Sequence, residues 1–124
     1  MDIETLREYC IGKENVEECF PFDETTLVFK VGGKMFLLVD IDSRPLSFNV
    51  KCDPQKAVEL REKYSCVEPG WHMNKSHWNT VTADGSVNQK MLFSWIDNSY
   101  DLIVSSLPKK VQATFKKRDT KTSK

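Results

Sequence analysis

At 124 residues, 40% of them hydrophobic and 29% charged, the chain has the size and composition of one globular domain with a core of its own. No apolar run approaches the roughly 20 residues needed to cross a bilayer. Net charge is zero, but seven of the 18 basic and one of the 18 acidic residues follow Pro108, so the body stands at about −6 and the end at about +6.

Residues 2–12 read as a helix, with Ile3, Leu6, Tyr9 and Cys10 at helical spacing and Gly12 as its stop. Residues 14–24 read as a loop in which Phe20 and Phe22 pin Phe20-Pro21-Phe22 to the core. Residues 25–31 are β-branched and aromatic and predict a strand. Gly32-Gly33 predicts a hairpin turn, because both positions can take positive φ. Gly32-Gly33-Lys34 also looks like a piece of a phosphate loop, but it lacks the Gly-Lys-Ser/Thr ending and sits in the hairpin.

The returning strand covers 34–41, and Ser43-Arg44-Pro45 turns the chain into a third strand over 46–52. Leu46, Phe48 and Val50 alternate there with Ser47, Asn49 and Lys51, as in a sheet covered on one side. Lys30, Lys34 and Lys51 would make a basic patch on its open face. Asp53-Pro54 is a helix start, an N-cap followed by proline, and that helix runs to about Ser65.

Residues 70–73 and 77–82 read as two strands around Asn74-Lys75. Asp84-Gly85 is a further turn, and residues 86–106 form a long amphipathic helix limited by Pro108. Neighbouring strands favour antiparallel pairing. The expected fold is therefore an α+β two-layer sandwich in the order helix, three strands, helix, two strands, helix. Residues 1–110 form the expected domain, and residues 111–124 a flexible basic tail. Such a tail can hold phosphate, stay solvated or fold back on the acidic body.

Cys10, Cys19, Cys52 and Cys66 form no C-x-x-C pair, so free thiols are expected. Cys52 precedes a helix N-terminus, where the dipole favours thiolate; packing is the competing reading. Met1-Asp2-Ile3-Glu4 lacks the basic start and apolar stretch of a secretory signal, so a cytoplasmic location is expected.

The segment Pro-Gly-Trp-His-Met-Asn-Lys-Ser-His-Trp-Asn-Thr-Val at 69–81 gathers two Trp, two His, two Asn and a Lys. With Asn74-Lys75 as a two-residue turn, Trp71 would face Trp78 on the core side. His72, His77 and Asn79 would then share the polar side, with Lys75 at the tip. Two His are too few for a metal site, and no nucleophile pattern accompanies them. Contact with phosphate or bases fits these side chains. So does a hairpin in which they bond only backbone and neighbours.

Phe20-Pro21-Phe22, the run 26–36, Lys51-Cys52-Asp53-Pro54, the run 69–80 and Leu107-Pro108-Lys109-Lys110 occur in an order that resembles the MmcQ/YjbR family. The resemblance implies a two-layer fold similar to secretion chaperones and CyaY-like proteins. The family is commonly labelled DNA-binding through a double-wing arrangement, which here implies the loops at 32–34 and 74–75. It brings no catalytic residue, and an enzyme is the third reading. A frataxin-like role would predict iron on an acidic ridge, for which Asp2, Glu4 and Glu8 are too sparse, so no cofactor or metal is expected. The expected contact surface is Lys34, Lys51, His72, Asn74, Lys75, His77, Asn79, Lys109 and Lys110. The alternative is a protein-interaction or chaperone-like module with no nucleic-acid role. Expected partners are DNA or a partner protein, with no membrane, and the chain would be a monomer or homodimer.

Overall fold

The structure is a computed structural model that describes residues 1–71 and 73–115. The chain runs α1 (Ile3–Ile11), β1 (Val16–Cys19), β2 (Thr26–Val31), β3 (Lys34–Asp40), β4 (Ser47–Lys51), α2 (Pro54–Lys63), β5 (Val67–Pro69), β6 (Trp78–Thr82), α3 (Gln89–Ser106) and α4 (Lys109–Gln112). Among the described residues the strands form one antiparallel sheet in the order β1-β2-β3-β4-β6-β5. The fold is the expected α+β two-layer arrangement, with one strand more than the sequence suggested.

Each long helix starts on a side-chain cap. The Asp2 carboxylate accepts from Thr5 N–H at 2.8 Å, Asp53 from Lys56 N–H at 3.4 Å, and the Asn88 carbonyl from Met91 N–H at 2.9 Å. Such caps satisfy N–H groups that the first turn leaves unpaired. α3 therefore begins at Gln89 rather than Ser86, because the Asp84 carboxylate takes the Ser86 N–H in a separate turn.

The helices cover one face of the sheet. Alternation sends Leu27, Phe29, Val31, Val39, Phe48, Val50 and Val81 toward them, where they meet Leu6 and Cys10 of α1, Ala57 and Leu60 of α2, and the seven buried residues of α3. Tyr9 stacks on Phe93 at 3.7 Å, and Tyr64 meets Trp95 edge-on at 5.2 Å, so both shorter helices lean on α3. Val111 and the buried Phe115 also join this core.

Between β2 and β3, Phe29 pairs with Leu37 and Lys30 with Met35, which leaves Phe36 as an extra residue. The buried Ser99 hydroxyl resolves the polar consequence. It donates to the Phe36 carbonyl at 2.5 Å and accepts from Lys51 N–H at 2.8 Å. Gly32 and Gly33 have φ of 60° and 81°, the turn expected for Gly-Gly. A Cβ on Gly32 would also lie 2.6 Å from Leu107 Cδ1, so the end of α3 packs on the hairpin tip.

The expected 14–24 loop differs in two respects. Residues 16–19 form the edge strand β1, with Glu18 on the helix side holding Arg7 at 2.5–2.7 Å. Phe20 and Phe22 are not pinned in the core; they are 47% and 64% exposed.

Candidate functional site

Antiparallel pairing fixes what lies at each end of the sheet. One end carries the 32–33 turn, and Val31 pairs there with Lys34. Lys51 and Trp78, paired with each other, reach the same end, and so does the loop that follows Pro69. Leu107 brings the start of α4 there. Lys34, Lys51, Asn74, Lys75, His77, Lys109 and Lys110 thus gather at this hairpin end, all exposed except the half-buried Lys51. The Lys34 Nζ lies 3.5 Å from Ser106 Oγ, tying the hairpin to the last turn of α3. Asp40, Asp42 and Asp84 belong to the opposite end, where Thr26, Asp40, Ser47 and Thr82 pair in a row. The hairpin end is not purely cationic, since Asp53 follows Lys51 by two residues.

The expected register of the 69–81 segment is overturned. Pro69 pairs with Asn79, so residues 70–77 form one long loop rather than a strand and a two-residue turn. Trp71 is 72% exposed, while Trp78 is buried against Val28 and Leu38 on the sheet face away from the helices. His72 lies outside the described residues, as does the basic stretch from residue 116 onward. Asn79 does not belong to the polar surface. It is 1% exposed, its carbonyl accepts from Arg61 Nε at 2.7 Å, and its amide donates to the Ala57 carbonyl at 3.4 Å. Its neighbour Trp78 faces the other way because alternation demands it.

The loop is held from several sides. Arg61 also donates through Nη2 to the Lys75 carbonyl and, at 3.3 Å, to the Trp78 carbonyl. The Lys75 ammonium donates to the Gly70 carbonyl at 3.2 Å. Asn74 accepts from Ser76 N–H through its side chain, and from His77 and Trp78 N–H through its carbonyl. The His77 carbonyl takes the Cys52 N–H at 2.8 Å. A Cβ on Gly70 would meet Trp78 Cβ at 2.7 Å, so the loop leaves β5 where only glycine fits. Arg61 is the organising residue that the sequence does not reveal. Its helical spacing in α2 gives no sign of partners 14 to 18 positions away.

Residues 11–102 match the family model described as YjbR. The chain belongs to the YjbR family. YjbR of Escherichia coli K12 is 35% identical over 109 residues, covering 87% of this chain and 92% of that one. YbdF of Escherichia coli O157:H7 is 37% identical over 110 residues, covering 88% and 89%. Among solved structures, a Deinococcus radiodurans protein superposes with a TM-score of 0.87 at 38% identity, covering 91% of this chain and 86% of that one. A Pseudomonas syringae protein does so with a TM-score of 0.70 at 25% identity, covering 82% and 98%. The YjbR match contains Lys34, Lys51 and the 70–77 loop, whereas Lys109 and Lys110 lie beyond it.

Cys52 and Cys10 are not poised for chemistry. Cys52 is buried, and burial followed by the neighbouring Asp53 charge pushes its pKa up, against the thiolate expected of a helix start. Burial raises Cys10 further, to about 12. No helix among the described residues is long and apolar enough to cross a membrane.

Proposed function

We propose that this YjbR-family protein binds DNA through its hairpin end, with Lys34, Lys51, Lys75, Lys109 and Lys110 on phosphates and Asn74 and His77 against sugar or base edges. The observation that carries the reading is the convergence of these separated side chains at one end of the sheet, with Asp40, Asp42 and Asp84 at the other. Two projecting loops, at 32–34 and 70–77, flank that end, and the second is fixed by Arg61 rather than free to collapse. Exposed lysines supply affinity and position a duplex; amide and imidazole groups can read edges. The acidic body turns its far end away from the phosphates, so long-range repulsion is weakest in the proposed orientation.

Titrating isotopically labelled protein with a short duplex tests the assignment. Amide shifts should concentrate at Gly33, Lys34, Asn74, Lys75 and Lys109. Shifts confined to the opposite end, at Asp40 and Asp84, would refute it. The second reading, a protein-interaction module, is favoured by one observation: Phe22 and Trp71 are exposed beside the uncovered sheet face.

A further inference from the structure

The uncovered face of the sheet carries its own cleft, of about 590 Å³. Alternation places Leu38, Asn49 and Thr80 in one row across its floor and Thr26, Asp40 and Ser47 in the next. Loops from the two sheet edges bound it, one bearing Phe22 and Asp23 and the other Trp71 and Met73. The Trp71 loop is anchored to the floor: Trp71 N–H donates to Thr80 Oγ1 at 2.9 Å, and the Thr80 hydroxyl donates in turn to Asn49 Oδ1.

We propose that this cleft is a binding site for a small organic cation with an apolar or aromatic body. Charge complementarity points to the sign. The described lining contains two carboxylates, Asp23 and Asp40, and no cationic side chain. Asp23 accepts from Thr26 N–H at 2.7 Å and Thr25 N–H at 3.0 Å, and Asp40 from Asp42 N–H at 2.9 Å. Both carboxylates are thereby held in place while keeping acceptor capacity toward the cleft. Phe22 and Trp71 offer ring faces to a cation, and Leu38, Met35 and Met73 offer an apolar bed to its body. The volume lies in the range of small-molecule sites, and loops close both flanks, which suits a compact ligand better than a continuous chain. The site shares the 70–77 loop with the hairpin end through Trp71 and Met73, but its two carboxylates lie toward the opposite end of the sheet, and it does not rest on the nucleic-acid reading.

The test uses the full chain, isotopically labelled, with 3-phenylpropylamine as the probe and 3-phenylpropionate and 3-phenylpropanol as matched controls. The amine should give saturable shifts at Thr26, Asp40 and Ser47 and at the Trp71 indole in the millimolar range or below. The carboxylate should bind at least about tenfold more weakly, a difference of about one charge pairing. Asp40→Asn and Trp71→Ala should each weaken the amine by about tenfold while leaving the circular dichroism spectrum unchanged. Equal binding of all three compounds, shifts mapping elsewhere, or amine binding indifferent to both substitutions would overturn the proposal. So would capture of a basic peptide at this face with no response to the amine, which would assign the cleft to a protein partner.

Discussion

Ser99 shows how one side chain can settle a problem created by the backbone. The extra residue in β3 leaves the Phe36 carbonyl without a ladder partner, and β4 ends with the Lys51 N–H aimed at α3; one hydroxyl serves both. Replacing Ser99 by Ala would strand a buried donor and a buried acceptor. The expected loss is about 1–3 kcal/mol of unfolding free energy in a denaturant titration, where a loss near zero would show that the groups find other partners. Asp23 gives a pH signature of a different kind. Thr26 and Thr25 N–H groups hold its carboxylate below the usual range. A depressed folded pKa means that its contribution is complete above the unfolded value and disappears as pH falls through the lower, folded one. The Thr25 and Thr26 amide shifts should therefore titrate together below about pH 4, the ordinary Asp range, and Asp23→Asn should abolish that titration.

At the scale of elements, the parts legible in the sequence are those fixed by local rules. Gly32-Gly33 specifies a turn, Asp53-Pro54 a helix start, and the Leu46, Phe48 and Val50 alternation a half-covered strand, and each is where expected. The parts that are not legible depend on distant groups. Val16–Cys19 is only four residues long and carries two Glu, so its pairing with β2 leaves little trace in composition. The 70–77 loop looks like a tight hairpin in sequence because Asn-Lys can turn a chain, but Arg61 reaches over from α2 and holds it open. Arg61→Ala should destabilise the protein by about 1–3 kcal/mol, since it leaves the buried Asn79 carbonyl unpaired. It should also speed hydrogen exchange at Gly70 and His77. Arg61→Lys should rescue little, because an ammonium cannot reproduce the forked donor geometry; full rescue would mean that charge alone holds the loop.

On the scale of the whole molecule, zero net charge conceals a separation of charge along the strands. The sequence already shows that basic residues cluster late in the chain, but not that Lys34, Lys51 and Lys75 join Lys109 and Lys110 at one end. That requires the strand order, which places β6 between β4 and β5. The same register moves Asn79 out of the expected surface and into the core. The central claim is that the hairpin end itself, and not only the basic stretch beyond it, holds DNA. The direct measurement is the salt dependence of duplex binding for the full chain, for a chain ending at Phe115, and for Lys34→Ala/Lys109→Ala in each. Ending at Phe115 keeps a buried core residue that a cut at Lys110 would remove. The shortened chain should still bind, and the double substitution should lower the slope of log K against log salt by about 0.9 for each lysine–phosphate pair it removes. Binding that vanishes with residues 116–124, or a slope unmoved by both lysines, would contradict the account.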